Sequence, residues 1–333
     1  MNSETDKRNS ATLKWFGWVG RIKWIGVQAA QTLLTLLGAS VLIWALLPLT
    51  PGDSARRTLE SMGNDDPRPA EVESLRAELK LDRSLPAQYL AWVGRALRGD
   101  LSVSWQSGKP VSAEIAKRLP ATALLASVTL LLSIALALLL ALVGASFQNR
   151  WPDATVRFVT QMGASLPAFL LGLLLLQFIV IRFGVGRVIA SGTIGDVWLP
   201  ALCLSLGRAA EWAQLLRAGL LDALGARYAL VAAARGATRL RIMLRYALPN
   251  ALLPFLTVIG TGIGALLGGV AIIEAVFSWP GLGSFAVTAI TARDMPVIQG
   301  FVIFSTLSYV TASLLADVAS ALIDPRLRER ALR

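Results

Sequence analysis

Few residues in this sequence could do chemistry by themselves. The sequence has no histidine and one cysteine, Cys203, which excludes a histidine-based catalytic triad, a histidine-ligated metal and an intrachain disulfide. Gly108-Lys109-Pro110 lacks the earlier glycine and the Ser/Thr that a Walker A phosphate loop needs. We therefore predict no catalytic residue, no metal site and no cofactor in this chain, so any ATP must be hydrolysed by another chain.

Arg208 and Glu211 draw attention because they interrupt an apolar stretch. At this spacing they share one face of a helix and can neutralise each other as an ion pair. Alternatively, together with Trp212, they line a translocation cavity, since charges inside a membrane usually face protein or water. The sequence leaves both interpretations open. Asp317, a single acid in the last apolar stretch, gives little support to ion-coupled transport.

The stretches that hold these residues are predicted to cross a membrane. Residues are 55% hydrophobic and 16% charged, and the mean hydropathy is +0.59. About six windows reach the roughly 20 continuous apolar residues that a membrane-spanning helix needs. We predict an all-α polytopic membrane protein with six transmembrane helices, and Pro167 predicts a local break in the third. The predicted spans are residues 24–49, 120–147, 158–181, 197–216, 247–273 and 297–323.

The positive charges predict how these spans are oriented. The net charge of +11 does not indicate nucleic-acid binding, because the cations lie in the connections between spans. Lysine and arginine are concentrated in residues 1–23, 148–157 and 217–246 and in the tail, which six spans place on one side. Basic connections stay in the cytoplasm, so both termini are predicted to be cytoplasmic. Residues 50–118 then form an external helical insertion with two short amphipathic helices.

Residues 227–256, which join the basic connection to the fifth predicted span, form the most unusual stretch of the sequence. A run of small residues at 232–237 precedes several spaced arginines and then Leu248-Pro249-Asn250. Gly236 is predicted to cap one short helix, and a second helix leads to Pro249. Such an elbow could press into a groove of a partner protein. It could equally lie on the lipid surface, held there by its arginines.

The segment Tyr228 to Pro254 resembles the cytoplasmic coupling segment, or EAA loop, of ABC importer permeases. More narrowly, the chain is similar to the oligopeptide/dipeptide/nickel permease family, first-subunit type. Leu230 and Ala233 depart from the charges that are usual in the motif. The order and spacing of further motifs carry the resemblance: Leu49-Thr50-Pro51-Gly52-Asp53, Leu97-Arg98-Gly99-Asp100-Leu101, Arg118-Leu119-Pro120-Ala121-Thr122, Leu166-Pro167-Ala168-Phe169, Leu199-Pro200-Ala201-Leu202, Pro280-Gly281-Leu282-Gly283 and Asp324-Pro325-Arg326.

The resemblance implies the ABC importer type I permease fold, with residues 24–333 as one six-span permease domain after a cytoplasmic segment, 1–23. It implies a non-enzymatic subunit of the bacterial inner membrane. The implied partners are a second homologous permease, two cytoplasmic ATPases that bind ATP and Mg, an external solute-binding protein and membrane lipid, with no nucleic acid. Peptides or related small solutes are the expected cargo. Nickel or metal-chelator import is the alternative, and an ion-driven secondary transporter is a lesser one.

The resemblance also implies two functional regions. Residues in and near the elbow are predicted to couple to the ATPase: Tyr228, Ala232, Ala234, Arg235, Gly236, Ala237, Pro249 and Asn250. The last outer loop is predicted to form an outer gate, through Glu274, Phe277, Pro280, Gly281 and Gly283. An ordinary structural turn, forced by Pro280 and Gly281, is the alternative for that loop.

Overall fold

The computed structural model describes residues 26, 30–45, 53–61, 63–64, 66–78 and 81–323. Within these ranges the fold is all-α, with a single isolated β-bridge between Val103 and Pro110. The helices are α1 (Ala30–Ala45), α2 (Ser54–Ser61), α3 (Pro69–Glu78), α4 (Leu85–Ala96), α5 (Val111–Ser146), α6 (Trp151–Ser165), α7 (Ala168–Leu175), α8 (Trp198–Gly225), α9 (Arg227–Ala234), α10 (Arg239–Ile242), α11 (Leu248–Val276), α12 (Leu282–Ala292) and α13 (Met295–Ile323). The N-terminal segment 1–23 and Asp324-Pro325-Arg326 lie outside the described residues, as does the side chain of Asp317.

All six predicted spans coincide with helices over the described residues. By length and composition, three helical stretches could cross a membrane: Val111–Ser146, Arg239–Gly260 and Met295–Leu315. Counting the bent pair α6–α7 as one span makes four. Helix α1 is apolar but shorter, and α8 is more polar. Helix α8 packs against α5, α6 and α11 along one side, while Glu211 and Asp222 lie on its exposed side.

The predicted break in the third span is confirmed. Helices α6 and α7 meet at an angle of 102°. Leu166 has an extended backbone, with ψ 127°, and Pro167 has no amide hydrogen to continue the ladder. After α7 the chain continues through a π-helical turn, Leu176–Arg182. The sequence placed the start of this span at residue 158, whereas the helix begins at Trp151.

Helix α8 forms the centre of the packed core. Its first half packs with α5, α7 and the end of α11, in a cluster that includes Cys203, Phe277 and Trp279. Its second half packs with the other end of α5 and the start of α11. There Trp212 meets the edge of the Phe255 ring, with ring centroids 6.0 Å apart. The side chain of Trp212 is 2% exposed and packed in this core, so it lines no cavity in this structure, and its place in a translocation cavity stays a prediction.

The insertion before α5 contains the two predicted amphipathic helices, α3 and α4, and also α2. An ion pair of 2.6 Å from Arg76 to Asp53 joins α3 to the start of α2. The expected apolar residues of α4 do not all pack within this chain, since Leu90 and Leu97 stay largely exposed.

Asp294 fastens the insertion to the last two helices. Its buried carboxylate accepts hydrogen bonds from Ser104 Oγ at 2.6 Å and from the backbone N–H groups of Trp105 and Gln106 at 3.1 and 3.2 Å. The Trp105 indole in turn donates to Thr58 Oγ1 of α2 at 3.0 Å. One carboxylate between α12 and α13 thus holds the loop that precedes α5.

Replacing Asp294 with alanine should loosen this loop, because it leaves buried donors without an acceptor. We expect the free energy of unfolding to fall by roughly 2 kcal/mol or more. Faster hydrogen exchange at residues 104–106 would measure the local effect. The control is Asp222→Ala, since Asp222 is exposed and has no ion pair among the described residues. Unchanged hydrogen exchange at residues 104–106 in the Asp294→Ala variant would show that Asp294 does not hold this loop.

Candidate functional site

Helix α8 leads directly into the elbow that the sequence singled out. The helix runs to Gly225, so the first residues of the predicted connection 217–246 continue the helix. Only Ala226, which has an extended backbone, separates α8 from α9. A movement of α9 is therefore transmitted to α8 without an intervening flexible loop.

Gly236 ends α9 as predicted. The N–H of Gly236 donates to the carbonyl of Ala233 at 2.9 Å, and the N–H of Ala237 donates to the carbonyl of Ala232 at 3.1 Å. This pair of bonds is a Schellman motif, which requires a left-handed residue at the glycine position. Gly236 supplies it with φ +83°. A side chain here would meet nothing within 4 Å, so the backbone conformation alone demands glycine.

The elbow has a small core of its own. Ala229 and Ala232 of α9 pack against Ile242 of α10, with Leu224 and Ala237 beside them. Ala232 is therefore buried inside the elbow and presents no side chain to a partner in this structure, so its role in ATPase coupling stays a prediction. The predicted coupling residues that remain exposed in this region are Tyr228, Ala234, Arg235 and Gly236, while Ala237 is half-buried.

The second arm of the elbow runs into α11. Thr238 caps α10 by accepting a hydrogen bond from the Arg241 amide at 3.4 Å. A π-helical turn, Met243–Ala247, joins α10 to α11 just before Pro249. Asn250, predicted as a coupling residue with Pro249, donates its side-chain amide to the Tyr246 carbonyl at 2.7 Å. Both side chains are exposed. The helix therefore continues from α10 through Pro249 into α11.

A buried ion pair braces the helix above the elbow, and sequence reasoning missed it. Arg217 of α8 donates two hydrogen bonds, of 2.7 and 2.8 Å, to the fully buried carboxylate of Asp153 in α6. The Asn149 amide donates a third, of 3.0 Å. Gly144 of α5 leaves the room for the arginine, since a Cβ there would lie 2.9 Å from its Cδ. The sequence counted both charges only for orientation, and no local signal pairs residues 64 positions apart.

The ion-pair interpretation of Arg208 and Glu211 is confirmed. The guanidinium and the carboxylate lie 3.0 Å apart on α8. Glu211 remains more than half exposed and Arg208 about a quarter. Their place in a translocation cavity stays a prediction.

Glu274 organises the predicted gate loop at the far end of α11. Its buried carboxylate accepts hydrogen bonds from the amides of Gly283 and Ser284 at 2.7 and 3.0 Å, at the start of α12. It also accepts a hydrogen bond from Thr122 Oγ1 of α5 at 2.7 Å. Thr122 in turn accepts a bond from the Leu282 amide at 2.8 Å. Glu274 and Thr122 thus satisfy the free amides of a helix N-terminus and tie α5, α11 and α12 together.

The glycines of the loop permit this close approach. A Cβ on Gly281 would overlap the Glu274 carboxylate, and one on Gly283 would overlap the backbone of Ala271. Pro280 is exposed and packs on Gly192, where a Cβ would lie 2.7 Å from the proline Cγ. Phe277 is buried, and its carbonyl accepts a bond from the Ala190 amide at 3.3 Å. The residues that pack as a structural turn are therefore the same residues that are predicted to form the outer gate. The gate role itself stays a prediction.

The connection before α8 closes over this loop. Asp196 accepts hydrogen bonds from the hydroxyl and the amide of Ser191. The Ser191 hydroxyl, then its amide and nearby Arg187, hold the pKa of Asp196 below its usual range. A lowered pKa means that this turn is stabilised above the unfolded pKa and loosens as the pH falls through the folded pKa.

Comparison with known proteins identifies the class that this fold and these sites define. Residues 133–329 match the family of binding-protein-dependent transport system inner membrane components. The chain belongs to that family: it is a permease subunit of an ABC importer, a transport subunit without catalytic activity of its own.

Relatives cover most of the chain. It is 37% identical over 304 residues to a Brucella ovis protein that carries the name of a peptide permease, spanning 88% of this chain and 95% of the relative. It is 35% identical over 294 residues to the glutathione transport system permease protein GsiC of Pectobacterium atrosepticum, with the same coverage. A crystal structure of an amino acid ABC transporter with histidines matches 63% of this chain and 94% of its own, with a TM-score of 0.52 and 18% identity. That likeness supports the type I permease fold.

Gly281→Ala should destabilise the gate loop because the added methyl group overlaps the Glu274 carboxylate. We expect a loss of about 1 to 3 kcal/mol, as for other overpacked sites. The thermal midpoint of the purified full chain would measure it. Gly94→Ala is the matched control, since a Cβ there meets nothing within 4 Å inside α4 and should be neutral or stabilising. Equal thermal midpoints for Gly281→Ala and Gly94→Ala would show that Gly281 does not pack closely against Glu274.

Arg217→Gln should be strongly destabilising because it removes two charged hydrogen bonds from the buried Asp153 carboxylate and leaves only the more exposed Arg157, 3.8 Å away, as a nearby cation. We expect a cost of about 3 to 5 kcal/mol. The double variant Asp153→Asn/Arg217→Gln should recover part of it, because no charge is then left unpaired. A double-mutant cycle on the free energy of unfolding of the full chain measures the coupling between Asp153 and Arg217. Additive effects of the two substitutions would show that this ion pair does not stabilise the packing of α6 against α8.

Proposed function

We propose that this chain is one of two permease subunits of an ATP-driven importer that moves peptides or related small solutes across a bacterial inner membrane. Its partners in this proposal are a second, homologous permease, two cytoplasmic ATPases that bind ATP and Mg, and an external solute-binding protein. The names of the relatives, which refer to peptides and to glutathione, support the cargo. The nickel alternative gains no support from these relatives.

Contacts between connections support the proposed orientation, with both termini and residues 217–246 in the cytoplasm. The Asp153–Arg217 pair joins the link 148–157 to the start of the basic connection, so these two segments lie on one side. Asp294 joins the last outer loop to the insertion 50–118, as a shared external side requires. The orientation proposed from charge is therefore consistent with which segments touch.

The observation that carries the proposed mechanism is that α8 and α11 each connect the elbow to the gate loop. Helix α8 begins in the core cluster that contains Phe277 and ends beside α9. Helix α11 begins at the elbow and ends at Glu274. At 1.5 Å per residue, each helix is roughly 40 Å long. When the ATPases close on ATP and move the elbow, both rods move the gate loop as rigid bodies. The exposed residues of α9, with Arg235 and Gly236, are the proposed contact.

An ion-driven secondary transporter is disfavoured by the polar residues of α8. Arg208 and Glu211 neutralise each other, which leaves no free acid at that level of the helix to carry a coupling ion. The elbow would also have no role in such a transporter.

Gly236→Val should uncouple the complex, because a β-branched residue is strained at φ +83° and should displace Arg235 and Ala237. We expect substrate-stimulated ATPase activity of the reconstituted complex to fall several-fold relative to basal activity. Gly236→Asn is the matched control, since asparagine tolerates the left-handed region and should keep most stimulation.

Co-purification of the ATPase with each variant separates lost assembly from lost coupling. Unchanged stimulation in the Gly236→Val complex would refute the coupling role of the elbow. Equal losses in the valine and asparagine variants would show that the surface at Gly236 matters through contact with a partner and not through its backbone conformation.

A further inference from the structure

The helical arm between Thr238 and α11 carries positive charges that no described part of the chain neutralises. Arg239, Arg241 and Arg245 are exposed, and none of them forms an ion pair with another described residue. From Ala223 to Ile273 the sequence contains no aspartate or glutamate. Within the described part of the chain these arginines are therefore available to bind an anionic group of another molecule.

Exposed leucines lie beside these arginines. Leu240 and Leu244 are 60% and 46% exposed and share one stripe, four residues apart. Arg241 and Arg245, also four apart, form the neighbouring stripe, while Ile242 and Met243 are buried on the inner side. An apolar stripe next to a basic stripe is the pattern of a helix that lies at the surface of a bilayer.

The position of the arm matches this pattern. The stretch Arg239–Gly260 is continuous helix and apolar enough to enter a membrane. With a rise of 1.5 Å per residue, Arg245 lies about 6 Å along the axis before Pro249, where α11 turns apolar. Arg241 and Arg245 therefore lie just before the apolar part of the helix, where a bilayer around α11 would present its phosphate groups.

The arm differs in this respect from α9, on the other side of Gly236. Helix α9 exposes Leu230 and Val231, but its last turn presents the small residues Ala233 and Ala234, which suits close docking against a protein surface. The arm has no exposed small residue between Arg239 and Ala247 and presents leucines and arginines there. The two halves of the elbow thus present different surfaces.

We propose that Arg241 and Arg245, together with Leu240 and Leu244, form a binding site for an anionic phospholipid of the bilayer. The arginines bind the phosphate group and the leucines contact the acyl chains. The proposal rests on the proposed function only for the side of the membrane on which the lipid lies. Its consequence is that anionic lipid holds one arm of the elbow at the bilayer surface while the other arm contacts the ATPase.

The test is native mass spectrometry of the purified, delipidated transporter complex titrated with phosphatidylglycerol or, for comparison, phosphatidylcholine. The wild type should retain phosphatidylglycerol in preference. Arg241→Gln/Arg245→Gln should weaken its binding by roughly fivefold for each arginine. Arg83→Gln/Arg98→Gln changes the net charge equally at two exposed positions of the insertion before α5, away from the proposed ATPase contact, and should leave lipid binding close to wild type.

Three outcomes would overturn the site. The first is wild-type affinity for phosphatidylglycerol in Arg241→Gln/Arg245→Gln. The second is an equal loss of affinity in Arg83→Gln/Arg98→Gln, which would show that the net charge alone decides lipid binding. Loss of the ATPase from the Arg241→Gln/Arg245→Gln complex is the third, because these arginines would then contact protein. If no ATPase accompanies even the wild-type chain, the proposed function fails, and the lipid titration on the full chain alone still decides this proposal.

Discussion

The ends of a helix leave backbone groups without intrahelical partners, and the structure satisfies these groups wherever the chain turns at the elbow and at the gate loop. Each turn relies on specific groups. The left-handed Gly236 returns the amides of the elbow to the carbonyls of α9. Glu274 and Thr122 receive the free amides at the start of α12. A helix end that depends on such partners cannot drift continuously, so these two places suit a transporter that switches between states.

Two long helices join the elbow to the gate loop. Helices α8 and α11 reach from the elbow to the gate loop, and the core is built around them. The Trp212 and Phe255 rings hold the two helices to each other near the elbow. Glu274 and the surrounding aromatic residues hold them at the gate. The subunit has no catalytic activity of its own, and its long helices suit the proposed task of transmitting a movement from the elbow to the gate loop.

Three buried carboxylates make the connections between helices specific. Asp153, Glu274 and Asp294 are almost completely buried, and each is bound by groups from distant parts of the sequence. A buried carboxylate without partners is costly, so each one accepts only the correct packing of its helices. Hydrophobic contacts in lipid lack this selectivity, since one apolar face resembles another. The acids that appear to be few and scattered along the sequence therefore determine which helices meet.

The sequence by itself determined the class, the spans and the elbow. Hydropathy predicted the membrane helices, because the length and composition of a spanning helix must match the bilayer. Pro167 and Gly236 predicted the bends, because the conformations that proline and glycine allow depend only on the local backbone. The motifs of the elbow and the last outer loop indicated the permease family. Only the tertiary structure decided which side chains meet. It places Trp212 in the core and Ala232 inside the elbow. It also pairs Asp153 with Arg217 and Glu274 with Thr122. Those pairs join residues far apart in the chain, and helical periodicity carries no information about contacts between separate helices.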